Sequence, residues 1–391
     1  MRSALTGLFL LALAIAPAAR AQFSSGSTGS DGALNYPTAG TYTFDPQVLN
    51  LDPAGDNIFN FTTINIGAGV ILNMPADVLR NRSVIWLATG NVTIAGTLNL
   101  AGANGSAESG GTGNNPGQGR YPAMPGAGGF PGGVGQYLSS PATNGDGYGA
   151  GVTTTTNGGS AVYAYNSNML DPLVGGAGGA GGAVGTGTAG GNGGAGGGAI
   201  RIVSTTSISV SGSILAYGGS PTSGVSGYSG GYGSGGAIHL VAPTVTNTGT
   251  LNSNGVVVPI GVVKVSANTA SIGGSVTGQY TLGPLYNPPL PAGVPVVKVV
   301  SVNGTNAPGD ITGSALNPDF TIATTSTVTV NISAAYIPIG TVVTLHLNSE
   351  QGNDATISCS ALAGVLASST ASCMGVTFPQ GVTITDIKAV W

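Results

Sequence analysis

Charged side chains are scarce in this chain: Lys and Arg number 9, and Asp and Glu 13, among 391 residues. A formal net charge of −4 offers no basic patch for nucleic acid, so we expect no nucleic-acid partner. No stretch reaches the roughly 20 continuous apolar residues of a membrane-spanning helix, so we expect no transmembrane span. What remains is rich in Gly, which accounts for 70 residues. This composition favours an all-β fold.

Carboxylates are missing from one long stretch, because no Asp or Glu occurs between Asp171 and Asp310. Enzymes that cleave polysaccharides use carboxylates as calcium ligands or as an acid and base pair. The two histidines, His239 and His346, fall in different predicted domains and cannot form a ligand cluster by themselves. We therefore expect no catalytic residue, no metal site and no cofactor in this protein.

Cysteine is also rare, with only Cys359 and Cys373 near the C-terminus. In an oxidising exported compartment an even number of cysteines favours a disulfide between them. The alternative is two unpaired cysteines on separate strands.

The first residues have the pattern of a signal peptide. Arg2 precedes an apolar run at 8–15, and Ala19, Arg20 and Ala21 form a small-x-small cleavage site. The pattern predicts cleavage near Ala21 and a secreted, extracellular or cell-surface location.

Three stretches repeat one another, at 84–102 (VIWLATGNVTIAGTLNLAG), 199–219 and 237–255. Each has short apolar and polar alternations separated by turns at Gly96, Gly212 and Gly249, which predicts three strands per repeat. Repeats of this kind stack, so we predict a right-handed parallel β-helix, with further rungs at 59–73 and 261–278.

Two inserts, 103–198 and 220–236, separate the rungs and are predicted to leave the β-helix at the same corner. Within the first, residues 175–198 have Gly at 15 of 24 positions. The tract is either a loose loop or a set of extended, polyproline-II-like chains packed side by side. Collagen is excluded because its period of three is not kept across the tract and Pro is absent.

The predicted domain order starts with the signal peptide at 1–21 and a capping segment at 22–57. The β-helix follows at 58–283, and a Pro-rich linker at 284–295. Six or seven alternating segments over 296–391 then predict an immunoglobulin-like β-sandwich, so two folded units are expected.

One set of side chains is a candidate binding site. Alignment of the rungs places Trp86, Arg201, His239 and Lys264 at one outward position, between inward apolar residues. Such a column has the chemistry to stack on sugar rings and to pair with the carboxylates of an anionic polysaccharide. The alternative is that these are simply polar outward positions and that the N-terminal segment shields Trp86.

The segments FNFTTINIGAGVIL, VIWLATGNVTIAGTLNLAG, GGGAIRIVSTTSISVSGSILAYGG and GSGGAIHLVAP resemble glycine-rich secreted proteins of bacteria. The resemblance covers roughly residues 31–280 and implies a pectin-lyase-like parallel β-helix. It implies no catalytic residue, because function lies in sites rather than in folds.

These observations predict a non-catalytic structural or adhesive surface protein that presents Gly-rich loops. Its expected partners are an extracellular polysaccharide or another surface protein. The alternatives are a glycan-binding module that uses the Trp86 column, or a polysaccharide-active enzyme in which an insert supplies Glu108, Asp146 or Asp171.

Overall fold

A computed structural model describes most of the chain. The described residues are 23–51, 55–106, 121–137, 141–162, 170–184, 189–224, 228–255, 261–286, 288–290, 293, 295–308, 319–324, 326–349 and 355–390. The predicted signal peptide at 1–21 and Glu108 lie outside these ranges. Over the described residues the fold is all-β, as the composition predicts. No helix in these ranges has the length and apolar character needed to cross a membrane.

The first eighteen strands are short, and within each rung they follow one another at close intervals. They are β1 (Leu34–Tyr36), β2 (Gly40–Thr43), β3 (Ile58–Phe61), β4 (Ile64–Ile66), β5 (Val70–Asn73), β6 (Val84–Ala88), β7 (Val92–Ile94), β8 (Thr97–Asn99), β9 (Ala199–Ser204), β10 (Ser207–Val210), β11 (Ser213–Leu215), β12 (Ala237–Val241), β13 (Thr244–Asn247), β14 (Thr250–Asn252), β15 (Val262–Ser266), β16 (Thr269–Ile272), β17 (Ser275–Thr277) and β18 (Gln279–Gly283).

These strands form three parallel sheets of six strands each, so the N-terminal part of the chain is a β-helix-like solenoid. Sheet A contains β1, β4, β7, β10, β13 and β16; sheet B contains β2, β5, β8, β11, β14 and β17; sheet C contains β3, β6, β9, β12, β15 and β18. Each complete rung contributes one strand to each sheet, in the order C, A, B. The predictions of three strands per rung and of stacked rungs are confirmed.

The segment at 22–57, expected to act as a cap, contributes β1 and β2 to the solenoid. Leu34 pairs with Ile64, and Gly40 pairs with Val70, both in parallel. The segment is therefore an incomplete first rung that extends sheets A and B.

A core of aliphatic side chains fills the solenoid. The inward residues predicted for the later rungs lie in it, including Ile200 and Ile202 of β9 and Ile238 and Leu240 of β12. Equivalent residues pair directly, with Ile238 between Ile200 and Val263, which produces ladders of similar side chains along the axis. The period-two alternation predicted these ladders because each strand has one face toward the core.

Both Gly-rich inserts leave the solenoid between a strand of sheet B and the next strand of sheet C. The first joins β8 to β9 and the second joins β11 to β12. Although β8 and β11 are far apart in sequence, they pair directly, with Leu98 opposite Ile214. The common exit corner predicted from the rung alignment is therefore present.

The C-terminal part contains two antiparallel sheets. Its strands are β19 (Val296–Val302), β20 (Thr305–Asn306), β21 (Val328–Ala335), β22 (Val342–Ser349), β23 (Ala355–Ala361), β24 (Ala363–Val365), β25 (Ser368–Val376) and β26 (Thr383–Ala389). One sheet has the order β20-β19-β21-β25-β24 and the other β23-β22-β26. They share an apolar core, as a β-sandwich requires.

A disulfide joins the two C-terminal sheets. Cys359 of β23 is bonded to Cys373 of β25, with the two Cα atoms 4.1 Å apart. Both cysteines belong to the apolar core that the two sheets share.

Candidate functional site

The predicted basic column lies on sheet C, and three of its four members are in register. His239 of β12 pairs with Arg201 of β9 on one side and with Lys264 of β15 on the other. Neighbouring parallel strands are about 4.8 Å apart, so the three side chains follow one another up the outer face.

Trp86 does not belong to this column, and the prediction is wrong for this residue. In β6 it is Ile85 that pairs with Arg201, whereas Trp86 pairs with the inward Ile202. The sequence alignment is displaced by one residue here, and a displacement of one residue exchanges the two faces of a strand. The error arose because β6 (VIWLA) is apolar at every position, so alternation could not identify its inward face.

The Trp86 side chain instead forms part of an aromatic cluster in the solenoid core. Its ring lies 5.2 Å from that of Phe44 and 6.0 Å from that of Phe61, both in edge-to-face geometry. Phe59 packs edge-to-face on Phe44 at 5.0 Å. The cluster fills the first rungs, where the indole is fully buried and offers no surface to a ligand.

The outer face of sheet C is covered rather than open. Ile85, Leu87, Val203 and Val241 form an apolar cluster on this face, and partly buried Phe23, Leu173 and Leu285 pack against it. A second cluster adds Leu170 over Ala199, Ala237 and Val262. The covering residues come from the N-terminal segment, the first insert and the segment after β18, which are far apart in sequence.

These covering residues bury the basic column of Arg201, His239 and Lys264. Arg201 is 1% exposed, His239 0% and Lys264 6%. The Arg201 guanidinium donates from Nη2 to the carbonyl oxygen of Leu170 at 2.8 Å, which ties the cover to the column. The column therefore has no surface from which to bind a polysaccharide in this arrangement.

Burial also alters the proton affinity of the column. It lowers the pKa of His239 well below its ordinary value, and the positive charges of Arg201 and Lys264 lower it further. His239 is therefore neutral at neutral pH, with Nε2 3.1 Å from Oγ of Ser266. Burial likewise lowers the pKa of Arg201, which nearby Asp171 partly opposes, and burial followed by Arg201 lowers that of Lys264.

The carboxylates that an enzyme would need are not gathered at one place. Asp146 forms an ion pair with Lys388 of β26, with Nζ and Oδ1 3.0 Å apart. Asp171 lies near Arg201, and Glu108 is outside the described ranges. Within the part of the chain that the structure describes, no three His, Cys, Asp or Glu side chains are grouped as metal ligands.

The described parts of the Gly-rich inserts form a bundle of extended chains beside the solenoid, here called the glycine bundle. Its central tracts are residues 175–183 and 189–198, and most of their residues are buried. Amides at every third position of the first tract donate to the second: Gly176 to Gly197, Gly179 to Gly194 and Gly182 to Gly191, over 2.7–2.9 Å.

The other two positions of each triplet bond to different neighbours. Gly175 and Gly178 donate to the carbonyl oxygens of Gly128 and Asp146, and Ala180 donates to that of Gly159. A chain with three residues per turn and no internal hydrogen bonds has the polyproline-II conformation, so each of its three sides is bonded to a separate chain. Of the two alternatives for the described parts of the inserts, packed extended chains is therefore the correct one.

A three-residue repeat in the sequence, not used in the prediction above, indicates this packing of extended chains. Residues 175–183 read Gly-Gly-Ala three times, and residues 190–195 read Gly-Gly-Asn and Gly-Gly-Ala. The glycines are required because a β-carbon on Gly178 or Gly181 would overlap the carbonyl oxygen of Pro131 or Val134. A period of three is not kept across the whole of 175–198, because residues 184–189 interrupt it. It is kept within 175–183 and within 190–195.

Comparisons of the chain with protein-family models, with curated proteins and with solved structures find no match.

Proposed function

We propose that this protein is a non-catalytic, secreted or cell-surface protein of structural or adhesive type. The observation that carries the proposal is the glycine bundle. Its chains are bonded by backbone hydrogen bonds to one another and, through pairs such as Gly198 N to Leu100 O at 2.7 Å, to the solenoid. The bundle therefore has the properties of a rigid flank that the solenoid holds in place.

The distribution of acidic residues supports a non-catalytic role. The rungs from β9 to β17 contain no Asp or Glu. Asp146, in the first insert, forms its described ion pair with Lys388 of the C-terminal unit. A polysaccharide-active enzyme of pectin-lyase-like fold, which the resemblance suggests as an alternative, would need carboxylates that converge on a bound sugar chain.

Two finer features of the fold belong to this proposal. We propose right-handed winding of the solenoid, because crossover connections between parallel strands are right-handed in the great majority of proteins. We also propose an immunoglobulin-like strand arrangement for the C-terminal sandwich, following the Pro-rich linker. An open sheet end invites unwanted pairing, and a unit placed there would protect it.

The location is tested by expressing the full chain in its exporting cell and treating intact cells with protease. We expect mature protein beginning at Gln22 that is removed from the cells or recovered from the medium. Ala19→Lys, Ala21→Lys is the matched control, because it abolishes the small-x-small site. Retention of the wild-type protein inside protease-resistant cells would contradict the proposal.

The absence of catalysis is tested with purified protein and a panel of neutral and acidic polysaccharides. We expect no new reducing ends and no unsaturated products. Cleavage by the wild-type protein that is lost in Glu108→Ala, Asp146→Ala or Asp171→Ala would establish the enzyme alternative instead.

A further inference from the structure

An uncharged groove lies at the corner where both inserts leave the solenoid. Its volume is about 380 Å³, at the lower end of the range typical of ligand pockets. Sheet B forms one wall, the first insert forms the opposite wall, and Tyr217, which follows β11 in the 199–219 rung, completes the site. The residues that define its chemistry are Asn73, Asn99, Asn104, Met124, Pro125 and Tyr217.

Backbone hydrogen bonds fix the walls of the groove. Gly102 donates to the carbonyl oxygen of Tyr217 at 2.8 Å, and Ala103 donates to that of Met124 at 2.9 Å. Ala76 donates to the carbonyl oxygen of Pro125 at 3.3 Å, which holds the insert against the segment after β5. A site whose walls are already fixed loses little conformational entropy when a ligand binds.

The polar side chains of the groove are three amides and the hydroxyl of Tyr217, and the amide oxygens are already used. Oδ1 of Asn73 accepts a bond from Nδ2 of Asn99 at 2.9 Å, and Oδ1 of Asn99 accepts one from the amide of Ala101 at 3.2 Å. Oδ1 of Asn104 accepts a bond from the amide of Ser220 at 2.8 Å. These bonds set the orientation of the three amides and leave the Nδ2 groups of Asn73 and Asn104 as donors for a ligand oxygen.

The remaining surface of the groove is apolar and includes an aromatic ring. Tyr217 is partly buried, and Met124 is 37% exposed although its side chain is large and apolar. An aromatic ring beside amide donors suits a ligand with an apolar face and an edge of hydroxyl groups. A sugar ring has this combination.

The charge of the groove selects among sugars. None of its lining residues is charged, so a uronic acid or a sulfated sugar would lose its hydration without gaining an ionic partner. A cationic ligand would likewise find no carboxylate. The chemistry therefore fits a neutral glycan, whereas the basic column on sheet C, which has charge for an acidic one, is buried.

We infer that this groove binds the neutral sugar residues of an extracellular polysaccharide. The inference rests on the proposed adhesive function and assigns to it a ligand class and a place. Asn73 and Asn104 contact the sugar hydroxyls, Asn99 holds the amide of Asn73 in position, and Tyr217 packs against the ring face. The groove is formed jointly by the solenoid and the first insert, so it exists only when they are assembled.

The test is isothermal titration of the purified mature chain with gluco-, manno-, galacto- and xylo-oligosaccharides, and with oligogalacturonate as the acidic comparison. We expect binding of at least one neutral series and none of oligogalacturonate. Tyr217→Leu is expected to weaken that binding about tenfold. Its matched control is Tyr228→Leu, because Tyr228 is a 38% exposed tyrosine of the second insert outside the groove.

A second pair of variants separates binding from folding. Asn99→Ala and Asn252→Ala each remove an amide oxygen that accepts a bond from the backbone two residues later, but Asn252 lies outside the groove. Circular dichroism should show a folded chain in both variants, thermal stability should fall somewhat more in Asn99→Ala because its bond to Asn73 is lost as well, and only Asn99→Ala should lose affinity. Equal loss of affinity in both pairs, or binding of oligogalacturonate alone, would overturn the inference.

Absence of binding to every neutral series would also overturn it. That result would leave the proposed surface location and lack of catalysis standing, because protease treatment of cells and product analysis measure them separately. Conversely, a protein retained inside cells would contradict the proposed function even if the purified groove bound sugar.

Discussion

The solenoid and the glycine bundle are both built from extended chains, but their stability depends on opposite features. In the solenoid, side chains such as Ile202 and Leu240 fill the space between three sheets. In the bundle, backbones lie so close that side chains are excluded at many positions, as at Gly178 and Gly196. The first should be sensitive to lost side-chain volume, and the second to any added volume.

The largest expected effect is loss of the aromatic core of the first rungs. Trp86→Ala removes the buried indole that contacts Phe44 and Phe61, so the free energy of unfolding should fall by about 3–5 kcal/mol. Trp86→Phe retains a ring and should lose less. Urea unfolding followed by far-UV circular dichroism measures both, and a loss below about 1 kcal/mol for Trp86→Ala would contradict the inward placement.

Addition of a single methyl group should destabilise the bundle. In Gly178→Ala the new β-carbon meets the backbone oxygen of Pro131, which cannot move aside as a side chain would. We expect the free energy of unfolding to fall by about 1–3 kcal/mol. Gly273→Ala is the matched control in the solenoid, because nothing lies within 4 Å of its added carbon. Equal stability of the two variants would show that the bundle is not closely packed.

Acid should lower the free energy of unfolding through His239, which is buried on the covered face of sheet C. The pKa of His239 is depressed in the folded state, so below about pH 6.5 the unfolded chain binds a proton that the folded chain does not. The unfolding free energy should then fall with decreasing pH by at most about 1.4 kcal/mol per unit, until the folded pKa is reached. His239→Gln should flatten this dependence when unfolding is measured from pH 7 to 5.

His346 provides the comparison in the C-terminal sandwich. Burial also lowers its pKa, with Asp146 and Lys388 acting in opposite directions, so it contributes an acid dependence of the same sign. His346→Gln should therefore leave the loss due to His239 unchanged. An acid dependence that persists in full in His239→Gln would assign the effect to another group.

The smallest effect is expected on the open outer face of sheet A. Ser209 is exposed and paired with Thr93 and Thr246. The larger side chain of Ser209→Val therefore extends into solvent and does not crowd the protein core. The unfolding free energy should change by no more than about 0.5 kcal/mol in chemical denaturation. A loss as large as that of Gly178→Ala would remove the distinction between the two regions.

Much of the solenoid could be predicted from the sequence, because inward apolar residues alternate with polar ones. Val92 and Ile94 flank Thr93, and Ile208 and Val210 flank Ser209, so a period of two identifies the core face without ambiguity. Alternation could not place Trp86 on the core face, because both faces of its strand are apolar. In that strand the outward Ile85 is apolar because it too is covered.

The surroundings of the candidate sites could not be predicted from local patterns. Arg201, His239 and Lys264 were aligned correctly, but the cover over them includes Leu170 and Leu285, whose positions depend on the course of distant segments. The groove combines Asn73, Met124 and Tyr217 from three separate parts of the chain for the same reason. Around the candidate sites, only the three-residue repeat of the glycine bundle can be recognised from a short stretch of sequence.

The long first insert has a consequence for the order of folding. Ser204 donates from Oγ to the carbonyl oxygen of Gly90, which lies 114 positions away, so this contact closes a loop with an entropic cost of about 4 kcal/mol. His239 and Ser266, on the later rungs, are separated by only 27 positions. Ile58 and Ile85, on the earlier rungs, pair over the same 27 positions. We therefore expect the rungs on each side of the first insert to form from local contacts and then to dock across β6 and β9. Pulsed hydrogen exchange during refolding should protect the amides of Ile85 and Ala242, which bond to Asn57 and Ser266 on their own side of the insert, before those of Thr205 and Ser211, which bond to Ala88 and Ile94 across it.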